Sequence, residues 1–367
     1  MYLLTEIEAF LASLGFDGPL AGFQPLVQWD RPTAFRVVLR PGASPRSMIV
    51  KHVPDFEGTS VSDRWQPRWK VAQDYVNLCF LQEMGVGAFA PQVYGYSQEQ
   101  NMLAIEDVGQ TSLRAIEEIS EIGTNENLWQ SSARALAQLV NACPCDPAQF
   151  EQFAQAMLPS FVVLRKWDDQ DPADCHSIIG MAREMGFESI DDLQEEVARL
   201  VRSATRDGRW VGYSVGDLWH QHVMFYNGRP KFIDFHCGGY DIAVTDLMRL
   251  VEGTSLYQDK PLPPELVLVC KEAFLAELCS VEERNLSWRE FEEVYNFALL
   301  RHIAFMVGRE IVQLHREHQR ELVTKAVHAA RSHLADSEHA TAVVVDFLTE
   351  LEKWPNQSLQ RTRKPRR

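Results

Sequence analysis

No apolar run in this 367-residue chain approaches the roughly 18 residues needed to cross a bilayer, so no membrane partner is expected. The opening stretch, MYLLTEIEAFLASLGF, lacks the basic front and small-residue cleavage site of a secretory signal; its spacing fits a short amphipathic helix. Cysteine is sparse and unpatterned. The seven stand at 79, 143, 145, 175, 237, 270 and 279, an odd number without framework spacing, which predicts reduced thiols and a cytoplasmic location. Cys143-Pro-Cys145 is half a zinc ligand set with no second pair after it. No G-x-S-x-G elbow or Cys–His arrangement points to acyl transfer, and His315 and His318 have the wrong spacing for a helical zinc protease. A Gly-rich phosphate loop is also missing between Phe23 and Phe35, where Gln28-Trp29-Asp30-Arg31 stands instead.

Positive charge is scarce as well. Lys and Arg number 36 against 51 Asp and Glu, a formal net charge of −15. Five of the basic residues fall in the last twelve, NQSLQRTRKPRR, so the rest of the chain is more acidic still. Such a surface repels phosphate backbones, which argues against a nucleic-acid partner and suits a cationic small molecule. The basic end, 356–367, is expected to be disordered.

What is present divides the chain. Residues 1–109 read as a small β-rich lobe with a leading helix: strand-like runs at 35–39 and 48–53 flank the turn-forming Arg40 to Pro45. A polar loop over 55–68 precedes a helical pattern over 69–84, ended by Gly85, and two more strands are expected at 93–96 and 102–105. From 110 to 355 the pattern is mainly helical, with breaks expected near Gly180 and Gly186. Within that lobe, Gly212–Leu250 reads as a short loop, a strand, an Asn227-Gly228 hairpin turn and a second strand ending at Ile233-Asp234.

These elements carry a set of residues suited to phosphoryl transfer, which needs a cation on the phosphates, a metal-binding carboxylate and a base for the acceptor hydroxyl. Lys51 ends a β-rich run, where alternation can turn it inward beneath a nucleotide. Its ion-pair partner should lie on the following helix; Asp74, one turn from Val71 and Leu78, is preferred over Glu83. Ile105 and Glu106 end a strand that runs into Asp107-Val108-Gly109, a link whose backbone can meet a purine edge. Asp217 sits in a loop where a catalytic base belongs, and Asp234, seventeen residues on, where a Mg²⁺-binding carboxylate belongs.

The segment V-G-D-L-W-H-Q-H-V-M-F, followed by Ile233-Asp234-Phe235 and Asp246-Leu247, resembles the aminoglycoside phosphotransferase and choline kinase superfamily, ecdysteroid-kinase-like members included. Those proteins carry H-G-D-L-W-x-x-N-x-M-F, then I-D-F and a later D-L. Ala90 to Gly95 and Ile105 to Gly109 resemble that family's small lobe and hinge. The resemblance implies an α+β, bilobal, protein-kinase-like fold that phosphorylates a small-molecule hydroxyl with ATP or GTP and Mg²⁺. It implies Lys51 on the phosphates, Asp217 as base and Asp234 on the metal. Two positions depart from it. Val215 replaces a His that braces the catalytic loop, and His222 takes the place of a metal-binding Asn. An imidazole suits Mn²⁺ or Zn²⁺ better than Mg²⁺. His222 therefore stands as a metal ligand, alone or with His220, or as a substitute hydrogen-bond donor. The expectation is an active small-molecule kinase, with a catalytically impaired nucleotide-binding module as the alternative. Tyr295, Trp288 and Glu292 are candidates for the acceptor pocket.

Overall fold

The computed structural model describes residues 2–26, 34–53, 67–119, 125–143, 146–158, 173–205, 208–258, 262–281, 284–313, a discontinuous set between 324 and 334, and 341–362. Gln28 to Arg31, most of the loop expected at 55–68, Cys145, His315 and His318 lie outside these residues. The chain forms two compact units. The first comprises Met1–Leu128, Ala142–Leu164 and Val215–Gly239; the second comprises Trp129–Asn141, Arg165–Ser214 and Tyr240–Arg367. The loop-and-hairpin segment that follows Val215, expected with the helical lobe, thus packs as part of the first unit.

The first unit is built on an antiparallel sheet of β1 (Gly22–Pro25), β2 (Ala34–Val38), β3 (Ser47–His52), β4 (Val93–Ser97) and β5 (Met102–Glu106), in the order β1-β2-β3-β5-β4. Alternation along β3 buries Met48 and Val50 under Ile7, Phe10 and Leu11 of helix α1 (Tyr2–Ser13), together with Phe35, Val37 and Ala104. Burying a side chain as fully as Phe10 contributes about 1.5–3 kcal/mol. That burial fixes register, because a one-residue slip would turn every apolar group outward. The opposite face of β3 therefore carries Ile49 and Lys51. Pairing sets Ala34 and Leu103 beside Lys51, and Arg36 and Ile105 beside Ile49. Helix α2 (Pro67–Glu83) begins slightly earlier than the pattern suggested.

The hairpin of β7 (Val223–Tyr226) and β8 (Arg229–Phe232) belongs to the same unit; β6 is described with the second. Its turn residues Asn227 and Gly228 have φ of 52° and 75°, the paired positive angles of a two-residue hairpin turn. The Phe225 N–H donates to the Thr111 carbonyl at 2.9 Å, fixing the hairpin to the start of α3 (Leu113–Ile119).

The second unit is mainly helical: most of α4 (Glu126–Ala142), α6 (Ala173–Met185), α7 (Ile190–Thr205), α8 (Thr245–Gln258), α9 (Pro264–Leu278), α10 (Trp288–Gln313) and α11 (Ala342–Thr362). Helix α5 (Pro147–Met157) belongs to the first. Gly180 lies within α6, a tolerated cost of about 1 kcal/mol, and the break falls only at Gly186, whose φ is 74°. The end expected to be disordered is helical as far as Thr362, in keeping with the helix propensities of Gln, Leu and Arg after Pro355. A two-stranded sheet of β6 (Val211–Ser214) and β9 (Gly239–Ile242) completes the unit. Arg301 donates to Asp241 at 2.6 Å and to Thr245 Oγ1 at 3.1 Å, so this buried carboxylate is charge-matched. Among the described residues no helix is long and apolar enough to cross a membrane.

Gly212 in β6 packs directly on α4. A Cβ there would stand 2.6 Å from Cγ1 of Val140, whose branched side chain has little rotamer freedom. Gly212→Ala should lower stability by about 1–3 kcal/mol, read as a fall in melting temperature; an unchanged melt would show that α4 yields at no cost.

Candidate active site

Four charged groups converge on the face of the sheet opposite α1. The Lys51 Nζ lies 2.5 Å from Asp74 Oδ2 and 2.8 Å from Asp234 Oδ1. The Asp234 Oδ1 also meets His236 Nδ1 at 2.9 Å. Strand alternation aims Lys51 here, and helical spacing aims Asp74: Val71 and Leu78 are buried, and Asp74 lies between them at 2% exposure. Asp234 has φ 67° and ψ 61°, a left-handed conformation that Asp tolerates better than most residues.

Asn77, one turn beyond Asp74, holds the segment after Asp234 in place. Its side-chain amide donates to the Phe235 carbonyl at 3.1 Å and to the Gln73 carbonyl at 2.9 Å. Phe235 itself is fully buried. Helix α2 therefore positions both carboxylates, one through its own side chain and the other through Asn77.

The electrostatics follow from this crowding. Burial would discharge Lys51, but the charges of Asp234 and Asp74 outweigh it and hold the ammonium above its ordinary range. Burial raises Asp74, with the neighbouring Asp234 charge adding to it and Lys51 opposing. Burial would raise Asp234 too, yet Lys51, His236 and His222 together bring it well below the usual carboxylate range. Asp234 has more than one cationic neighbour and is the stronger acid of the two. For His236, burial favours the neutral ring, but its bonds to Asp234 and Cys237 and the Asp234 charge push its pKa up to about 10. With its ion pairs formed, the quartet is two cations against two anions.

The Asp217 loop closes on itself. Gly216 has φ 94°, an angle that favours glycine. Trp219 Nε1 donates to Asp217 Oδ1 at 2.7 Å, and His222 Nδ1 donates to the Asp217 carbonyl at 2.8 Å. The His222 main chain bonds Trp219 on one side and Ile233 on the other, at 2.8 and 3.0 Å, which ties the loop to the end of β8. Val215 is fully buried. With Nδ1 donating to that carbonyl, the lone pair of a neutral His222 ring lies on Nε2.

The hinge-side residues are strapped rather than open. Ile105 shares the Lys51 face of the sheet, but the Glu106 carboxylate accepts from Lys231 at 2.5 Å. Beyond it, Arg36 grips Asp107 through two bonds of 2.7 and 2.9 Å and reaches the Gly109 carbonyl at 2.9 Å. Burial opposes ionisation of Asp107, but the bonds from Arg36, Ser47 and the Gly109 N–H lower its pKa. Lys231, Arg36, Asn77, Trp219 and His236 were not singled out from the sequence. His236 and Trp219 carried a signal, each lying two residues from an acid already chosen.

The residues suggested for an acceptor pocket do not form one. In the second unit Tyr295 is fully buried, its hydroxyl 3.0 Å from Glu252, and Glu292 accepts from the buried Lys271 at 3.1 Å. Lys271 Nζ lies 3.9 Å from the Tyr295 ring centroid. These charges satisfy one another, and only Trp288, stacked on Phe291, reaches the surface.

As for a metal, no group of three or more His, Cys, Asp or Glu side chains is assembled for one among the described residues. His220 is buried at 2% exposure while His222 is half-buried, which separates the two rings of the His-x-His pair. Asp234 Oδ2 has no partner among the described residues, and its side chain is 32% exposed. One carboxylate oxygen and one imidazole nitrogen fit a cation that draws its remaining ligands from phosphates and water.

No family model and no curated protein matches the sequence. Solved structures do match the fold. The choline kinase LicA from Streptococcus pneumoniae is 12% identical, with a TM-score of 0.53 over 90% of this chain and 100% of its own. The macrolide 2'-phosphotransferase MphH from Brachybacterium faecium is 11% identical, with a TM-score of 0.54 over 88% of this chain and 97% of its own. An ADP-bound aminoglycoside phosphotransferase, APH(2'')-Ib, is 13% identical, with a TM-score of 0.52 over 93% of this chain and 99% of its own. The chain therefore has the α+β, protein-kinase-like fold of these small-molecule phosphotransferases.

A histidine whose pKa is raised by folding stabilises fully below its unfolded value of 6.5, and that contribution is lost as pH climbs through about 10. The wild-type melting temperature should accordingly fall more steeply between pH 7 and 10 than that of His236→Gln. Parallel curves would show that no imidazolium is held against Asp234.

Proposed function

We propose that the protein is a phosphotransferase that moves the γ-phosphate of ATP or GTP to a hydroxyl of a small molecule. The observation that carries this reading is Lys51 set between Asp74 and Asp234 on the face of the sheet opposite α1, in the same unit as Asp217. Lys51 binds the phosphates, Ile105 and the backbone at Glu106 meet the base, and Asp217 accepts the acceptor's proton. Asp234, with His222, would hold Mg²⁺ or Mn²⁺, which neutralises charge on the phosphates when bound. The acceptor oxygen bonds to the γ-phosphorus while its proton passes to Asp217. The bond to the β,γ-bridging oxygen breaks, and its electron pair leaves on the nucleoside diphosphate. Catalysis is then mainly positioning and charge stabilisation. An acidic chain of net charge −15 favours a cationic acceptor, and the proposed location is the cytoplasm.

One observation favours a second reading. Asp234 is already charge-matched by Lys51 and His236, and Val215 leaves the loop without the histidine brace of similar proteins. Under that reading the protein binds nucleotide as a regulatory module and does not turn it over.

Melting the protein with ATP or GTP, each with Mg²⁺, Mn²⁺ or neither, separates the readings. At a ligand concentration about 100 times Kd, stabilisation should reach about 2.7 kcal/mol. Metal-dependent stabilisation with slow hydrolysis that Asp217→Ala abolishes is the expected result. Binding without hydrolysis, even with candidate amino alcohols and sugars present, favours the regulatory module, and no stabilisation at all would sink both. His222→Asn keeps a side-chain N–H for the Asp217 carbonyl and supplies an oxygen ligand, so the ratio of Mg²⁺- to Mn²⁺-supported hydrolysis should rise. An unchanged ratio removes His222 from the metal.

A further inference from the structure

The Asp217 loop holds a bond that the phosphotransferase reading does not require. Trp219 Nε1 donates to Oδ1 of the carboxylate itself at 2.7 Å, two residues away in sequence. Asp217 is half-buried, and its Oδ2 has no partner among the described residues. A carboxylate turns with little resistance about its last torsion, so an unbraced aspartate would present either oxygen over a range of planes. The indole N–H removes that freedom by occupying one oxygen and fixing the plane of the other. The second bond of the loop, from His222 Nδ1 to the Asp217 carbonyl at 2.8 Å, holds the main chain beneath it. Val215 is fully buried and apolar, so position 215 offers no polar side chain to the loop.

We propose that Trp219 is a positioning residue for phosphoryl transfer. It braces the general base from inside the loop and leaves Oδ2 of Asp217 as the oxygen that takes the acceptor's proton. His222 completes the brace through the backbone. The inference rests on the phosphotransferase reading and deepens it: with an apolar residue at 215, the loop is held by the indole of Trp219 and the imidazole of His222. Trp219 need not touch nucleotide or acceptor, so its removal should change turnover and leave nucleotide binding alone.

The test uses the full chain, with ATP, Mg²⁺ or Mn²⁺, and water as acceptor. Trp219→Phe keeps a ring for packing and loses the donor; Trp219→His keeps a ring N–H. Loss of a hydrogen bond to a charged group should lower kcat for hydrolysis about tenfold to a hundredfold in Trp219→Phe. KM for ATP should stay within about twofold, as expected for an interaction that matters only in the transition state. The nucleotide-induced melting shift should be unchanged, and Trp219→His should recover part of the loss. Wild-type kcat in Trp219→Phe overturns the proposal. So does an equal loss in both variants with a matching drop in melting temperature, which would mark a packing role. Should Trp219→Phe fail to fold, Trp219→His decides: turnover well above that of Asp217→Ala supports the brace, and turnover equal to it overturns it. A wild-type protein that neither binds nor hydrolyses nucleotide fails at the phosphotransferase reading itself, and the brace falls with it.

Discussion

One ammonium group held between two carboxylates organises the first unit. Lys51 lies on β3, Asp74 on α2 and Asp234 after β8, so a single charge joins three segments far apart in sequence. Removing the cation leaves the buried Asp74 without its ion-pair partner, and breaking a buried pair in this way costs about 3–5 kcal/mol. The rest of the unit serves this meeting. Packing of α1 under Met48 and Val50 turns Lys51 to the opposite face, and Asn77 holds Phe235 so that Asp234 reaches it.

The Asp217 loop follows a different logic. Two of its bonds are short-range and internal, from Trp219 and His222 to Asp217, and the Ile233–His222 main-chain bond ties it to the end of β8. The charge quartet joins distant segments, whereas these two loop bonds span two and five residues.

That difference decides what was legible in the sequence. Lys51 and Asp74 could be placed because strand alternation and helical spacing assign a face, and Asp217 and Asp234 because a hairpin turn fixes the layout between them. Asn77 could not, since its partner Phe235 lies 158 residues away and nothing near Asn77 announces it. The Glu106 carboxylate is matched by Lys231 at a separation of 125 residues, which no window reveals. Tyr295 and Glu292 failed as acceptor residues for another reason. Helix α10 is buried on most sides, with Phe291, Val294, Tyr295, Phe297 and Leu299 all at 0% exposure, so Tyr295 and Glu292 pair within the core.

The balance of two cations and two anions around Lys51 has a consequence for approach as well as for binding. A group with no net charge has no monopole, so its field falls away much faster with distance than that of a lone ammonium. An anion diffusing toward a chain of net charge −15 is not drawn in from afar and meets attraction only at contact. Capture is then governed by short-range fit, and a change of ionic strength acts on the repulsion of the acidic surface more than on the pull of the site.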